Sequence, residues 1–115
     1  MPGFAYREGQ LFCDEVPAAA VAREFGTPTY VYSAEKLLAE YRAFAEAFAA
    51  LRPTICFSVK CLGNIHVLKR LAAEGSGFDV VSGGELARVQ AAGGDPGKVV
   101  YAGVGKTERE IRQAI

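Results

Sequence analysis

The sequence predicts an α/β fold built on a parallel sheet. Two observations carry this. From Ser33 to Ile115, segments with helical spacing of apolar residues alternate with short β-branched or aromatic segments. The strand-like segments recur roughly every 20–25 residues, the spacing of βαβ units. The second observation is punctuation. Pro53, Gly75-Ser76-Gly77 and Gly93-Gly94-Asp95-Pro96-Gly97 fall where a helix must stop and a strand begin. Parallel strands need a crossover between them, and a helix supplies it.

The opening residues are mixed. Phe4–Arg7 and Gln10–Cys13 flank Glu8-Gly9, which predicts a short hairpin. Val16 to Phe25 has helical spacing and stops at Gly26, with Pro28 beyond. Thr29–Tyr32 reads as a short strand. Ser33 then reads as the N-cap of a helix from Ala34 to about Leu51, with Leu37, Leu38, Tyr41, Phe44, Ala45 and Phe48 on one stripe. Pro53 ends it and a strand over Thr54–Lys60 follows. Asn64 caps a helix running to Ala73. Phe78–Ser82 is the next strand. Ser82-Gly83-Gly84-Glu85 has capping-box spacing and opens a helix to Ala92. Val99–Ala102 is a third strand, and Thr107-Glu108-Arg109-Glu110 is a second capping-box pattern. This pattern fits two architectures, an open doubly wound sheet or part of an eight-stranded barrel, and periodicity does not separate them.

Composition narrows the function classes. The 115 residues are 50% hydrophobic, and 13 basic residues balance 13 acidic ones, as in a globular chain. Zero formal charge leaves no electrostatic footprint for nucleic acid. No run is long and apolar enough to span a bilayer and no cleavable leader is evident, so the expected compartment is the cytoplasm. Cys13, Cys56 and Cys61 lack C-x-x-C spacing and read as free thiols. With one histidine, His66, and no Cys/His cluster, no structural zinc is expected. His66 falls early in a helix and reads as a surface residue.

Lys60 is the sharpest chemical signal. Strand parity places Thr54, Cys56, Ser58 and Lys60 on one face, small and polar, and Ile55, Phe57, Val59 and Cys61 on the other. An amine at the end of a buried strand is a candidate nucleophile for aldehydes and ketones. The alternative is a lysine that leaves the strand and reaches into solvent. Asp79 lies within the next strand, where a carboxylate needs a partner. If the strands are parallel neighbours it approaches Lys60; otherwise it accepts backbone hydrogen bonds. Glu85 reads first as a capping-box residue, and the Gly83-Gly84 amides as a possible anion cradle or as plain turn punctuation. Gly103-Val104-Gly105-Lys106-Thr107 matches the end of a Walker loop, but Val100 stands where its first glycine is required.

One resemblance covers most of the chain, from about Thr27 onward. Phe57-Ser58-Val59-Lys60, Asn64, the block from Gly75 through Leu86 and Tyr101–Thr107 resemble the N-terminal part of the diaminopimelate decarboxylase family, among the fold-type III, pyridoxal-phosphate-dependent decarboxylases. The resemblance implies the first part of a TIM (β/α)8 barrel, alanine racemase-like, over residues 33–115. It implies that residues 1–32 belong to a β-domain. It implies that Lys60 carries pyridoxal 5'-phosphate as a Schiff base, that Asp79 helps hold that cofactor, and that Asp79 and Glu85 give electrostatic support to catalysis. The implied reaction is decarboxylation of meso-2,6-diaminopimelate to L-lysine by a cytoplasmic homodimer. Decarboxylation of another basic amino acid, such as ornithine or arginine, and a non-catalytic pyridoxal-phosphate-binding barrel are the competing readings. The family's phosphate loop, the acid facing the pyridine nitrogen and the ring-stacking histidine have no match here. The 115 residues alone are therefore expected to be inactive.

Overall fold

A computed structural model describes residues 3–115, which form two compact units, one up to Ala47 and one from Phe48 onward. Met1 and Pro2, the first residues of the expected leading segment, lie outside the described residues.

In the first unit, β1 (Phe4–Arg7) and β2 (Gln10–Cys13) form the expected antiparallel hairpin, with Phe4 opposite Cys13 and Arg7 opposite Gln10. The turn at Glu8-Gly9 places both residues at positive φ, 50° and 76°, the left-handed geometry that tight hairpins need. Val16 and Pro17 do not begin the helix. They form a third strand, β3 (Val16–Pro17), against β2, and helix α1 (Ala18–Phe25) starts after Pro17, a residue suited to a helix entry. Gly26, at φ 81°, ends α1 as expected. Thr29–Tyr32 has no strand partner among the described residues and stays irregular, with Tyr30 90% exposed. Helix α2 (Ala34–Ala47) is capped by Ser33, whose Oγ accepts from the Lys36 N–H at 2.9 Å. It ends sooner than the apolar stripe suggests. Ala49–Leu51 tightens into a 3-10 turn, and Arg52 takes the left-handed conformation ahead of Pro53.

The second unit is a parallel three-stranded sheet in the order β4 (Cys56–Ser58), β5 (Gly77–Val80), β6 (Val99–Tyr101). Helix α3 (Ile65–Ala73) joins β4 to β5, α4 (Gly83–Ala91) joins β5 to β6, and α5 (Glu108–Ala114) follows β6. Helix α4 packs against α3, β5 and α5. The core lies on the helix side of the sheet, where Val59, Leu68, Leu71, Phe78, Val80 and Val89 are fully buried. Strand β5 is central, and only Asp79 within it retains exposure. Its first residue has to be glycine. A Cβ on Gly77 would stand 2.5 Å from the Lys98 carbonyl oxygen and 2.9 Å from Cys56 Sγ. Among the described residues, no helix is long and apolar enough to cross a membrane.

Candidate functional site at the carboxyl ends of the parallel strands

Because β4, β5 and β6 are parallel, the segments that follow them emerge along one edge of the sheet. Open and closed α/β sheets place their chemistry at that edge. Lys60 lies there, though not as the strand's last residue. Strand β4 ends at Ser58, and Val59–Cys61 forms a single 3-10 turn. Val59 takes the core position at 1% exposure, and the Lys60 amine points into solvent. Of the two readings of Lys60, the structure shows the lysine that leaves the strand and reaches into solvent. The turn is closed by two local bonds. The Leu62 N–H donates to the Val59 carbonyl at 3.1 Å, and the Cys61 thiol donates to the Ser58 carbonyl at 2.9 Å. Beyond the turn, Arg88 of α4 donates through Nη1 to the Gly63 carbonyl at 2.9 Å, holding the loop that leads into α3.

Asp79 lies one strand over. The register aligns it with Ser58, and Ser58 Oγ donates to Asp79 Oδ2 at 3.3 Å. The other oxygen, Oδ1, is buried and has no hydrogen-bond partner. A buried carboxylate oxygen left without a donor is costly and marks a position shaped for something else. The charge is felt nearby: burial first, then Asp79, pushes the Cys56 thiol above its ordinary range.

Glu85 is half-buried at the start of α4. Ser82 caps that helix, accepting from the Glu85 N–H at 3.1 Å. The reciprocal bond of a capping box is displaced by one residue, because Glu85 Oε2 accepts from the N–H of Val81, at 2.8 Å, and not from that of Ser82. The carboxylate thus fixes the backbone two residues past Asp79.

The Gly83 amide is not a free anion cradle. It donates to Glu110 Oε1 at 3.1 Å. Glu110 belongs to α5, and its second oxygen, Oε2, accepts from both the N–H and Oγ1 of Thr107, each at 2.9 Å, while Thr107 Oγ1 accepts from the Glu110 N–H. These donors hold the Glu110 carboxyl down at about 2, the Thr107 and Gly83 amides contributing most. The Tyr101 phenol faces Glu110 without closing a hydrogen bond of ordinary geometry. Burial, followed by the charges of Glu110 and Glu85, pushes its pKa upward. Lys106 is committed to its own loop, donating to the Gly103 carbonyl at 2.9 Å and lying 5.2 Å from the centre of the Tyr101 ring. The loop is no Walker cradle, and the helix after it has seven residues. His66 is exposed in the first turn of α3, and its N–H is capped by Asn64 Oδ1 at 2.9 Å.

The structure thus gathers Lys60, Asp79 and Glu85 along one edge. It adds Ser58 and Glu110, which sequence reasoning did not single out. The Thr107–Glu110 capping pattern was legible; the reach of its second oxygen across 27 positions to Gly83 was not.

Residues 34–115 match the family described as pyridoxal-dependent decarboxylase, pyridoxal binding domain. The chain belongs to this family. The cofactor of the family is pyridoxal phosphate, and the residues present fit it. Lys60 offers an exposed primary amine for an aldehyde, and Asp79 Oδ1 offers a buried acceptor lacking a donor. Among curated relatives, diaminopimelate decarboxylase of Pseudomonas aeruginosa is 52% identical over 115 residues, covering 100% of this chain and 28% of that protein. That of Aquifex aeolicus is 44% identical over 114 residues, covering 99% of this chain and 27% of its own. Among solved structures, diaminopimelate decarboxylase from M. jannaschii in co-complex with L-lysine superimposes with a TM-score of 0.90 at 33% identity, covering 97% of this chain and 27% of that one. The chain spans a little over a quarter of the relatives' length. Membership places β4, β5 and β6 in the barrel type of α/β fold, which periodicity had left open.

Proposed function

We propose that this chain is the cofactor-anchoring part of an enzyme that decarboxylates meso-2,6-diaminopimelate to L-lysine. The observation that carries the reading is the placement of Lys60 in the turn after β4, one strand from an Asp79 carboxylate with an unpartnered buried oxygen. The identity of 52% over all 115 residues to a diaminopimelate decarboxylase supports this substrate over ornithine or arginine. Assembly as a homodimer belongs to the same proposal and rests on the resemblance alone.

Each residue has a role that its position allows. Lys60 would hold the cofactor, its exposed primary amine being the kind of group that reacts with an aldehyde. Bound pyridoxal phosphate supplies an electron sink for the pair left when carbon dioxide departs. Lys60, on its flexible stem just past the strand end, would be the group placed to carry a proton. Asp79, on the neighbouring strand with one buried oxygen unpartnered, would give the bound cofactor electrostatic support. Glu85 keeps the Val81 backbone, and with it the C-terminal end of β5, in place.

The test is chemical labelling of the full-length protein. Borohydride reduction with pyridoxal phosphate is expected to fix the cofactor on Lys60, as read by peptide mapping. Lys60→Ala should abolish both the label and turnover of meso-diaminopimelate. Label on a different lysine would overturn the site. Faster turnover of L-ornithine or L-arginine would overturn the substrate.

A further inference from the structure

Glu110 does more than a capping box requires. Capping occupies one oxygen, Oε2, with the N–H and hydroxyl of Thr107. The other oxygen leaves its own βα unit and takes the N–H of Gly83, the first residue of α4. That amide is one of the four a helix start leaves without an internal partner. It is satisfied by a carboxylate from the neighbouring loop. Two further contacts join the same loops. The Ala102 N–H donates to the Val80 carbonyl at 2.9 Å, and a Cβ on Gly103 would lie 3.3 Å from Val81 Cβ, so only glycine allows so close an approach without displacement. The stretch being held, Val81–Glu85, starts two residues past Asp79 and ends at Glu85. Glu85 in turn grips the Val81 N–H.

We propose that Glu110 is a positioning residue for the cofactor site: it locks the Val81–Glu85 turn to the loop after β6 and thereby fixes the carboxylates of Asp79 and Glu85 relative to Lys60. The inference rests on the functional reading above for its kinetic consequence only. A carboxylate suits the task because it accepts on both oxygens. Glutamine in its place keeps one acceptor and loses the other.

The experiment uses full-length protein as wild type, Glu110→Gln, Glu110→Ala and a control, Glu108→Gln. The control breaks an exposed ion pair with Arg112 on the same helix and touches neither loop. Three readouts are taken. Amide exchange at Gly83 should accelerate about tenfold or more in Glu110→Ala and stay at the wild-type rate in the control. The pH midpoint of the bound cofactor's visible absorbance should fall in both Glu110 variants, because carboxylates near a titrating nitrogen favour its protonated form. With substrate, kcat should drop about tenfold at nearly constant KM, since Glu110 orients groups and binds nothing. Unchanged exchange at Gly83 overturns the clamp. Faster exchange with an absorbance midpoint equal to the control's overturns the positioning role and leaves a structural cap. The first two readouts need no substrate, so they decide on Glu110 even where meso-diaminopimelate is not turned over; that last result would count against the functional reading alone.

Discussion

Asp79 shows how a single side chain divides its purpose between folding and function. Its Oδ2 accepts from Ser58, while Oδ1 is buried with no donor. An unsatisfied buried acceptor costs about 1–3 kcal/mol. Asp79→Ala should therefore leave the cofactor-free protein as stable as wild type or more so, by up to about 1 kcal/mol after the Ser58 bond is lost. The same variant should show weaker labelling of Lys60 by pyridoxal phosphate. Thermal melts without cofactor and a labelling titration measure the two effects separately. A melting temperature well below wild type would show that Asp79 is structural. The residue was legible because a carboxylate between Phe78 and Val80 has to be explained, and the parallel register supplied Ser58 as its partner. Lys60 was legible in position but not in environment. Strand parity already set Val59 on the apolar face, where it is buried, whereas the exposure of Lys60 goes with the 3-10 turn that follows Ser58.

At the scale of elements, the helix starts marked by a capping side chain were read correctly, and the physics explains why. A cap is a local event, one side chain meeting amides two or three residues on. Asn64 Oδ1 accepts from the His66 and Val67 N–H groups at 2.9 and 3.3 Å. Asn64→Ala should cost about 1 kcal/mol, the usual worth of such a cap. A denaturant titration would read it as a shift in midpoint with unchanged slope, and an unchanged midpoint would show that α3 is held by packing of Leu68 and Leu71 alone. Strands depend on partners that sequence does not name. Thr29–Tyr32 has strand composition and no neighbour to pair with among the described residues, whereas Val16 and Pro17 fit a helical stripe yet pair with β2. Apolar periodicity also ran past the true end of α2, because backbone conformation at Arg52 and the 3-10 turn before it decide where that segment stops.

For the molecule as a whole, the alternation of elements fixed a parallel sheet, and kinship with the pyridoxal-binding family resolved its closure as a barrel. One of the links between βα units, from Glu110 to the Gly83 amide, is polar and therefore pH-sensitive. Glu110 has a carboxyl held at about 2 in the folded chain against an ordinary 4.5. A depressed folded value means that the unfolded chain binds the proton first as pH falls. The contribution of Glu110 is thus complete above about 4.5 and fades as pH drops toward about 2. Asp14 in the first unit carries the same sign, held low chiefly by the Ser33 hydroxyl, with help from the Gly3 and Glu35 amides. Acidification through this window should weaken both units. Glu110→Gln removes the titrating group from one of them only. Amide exchange in α5 should then depend less steeply on pH in the variant, once corrected for intrinsic exchange, while exchange in β1 and β2 keeps the wild-type slope. Equal slopes in α5 for the two proteins would show that Glu110 does not link proton binding to the docking of neighbouring loops.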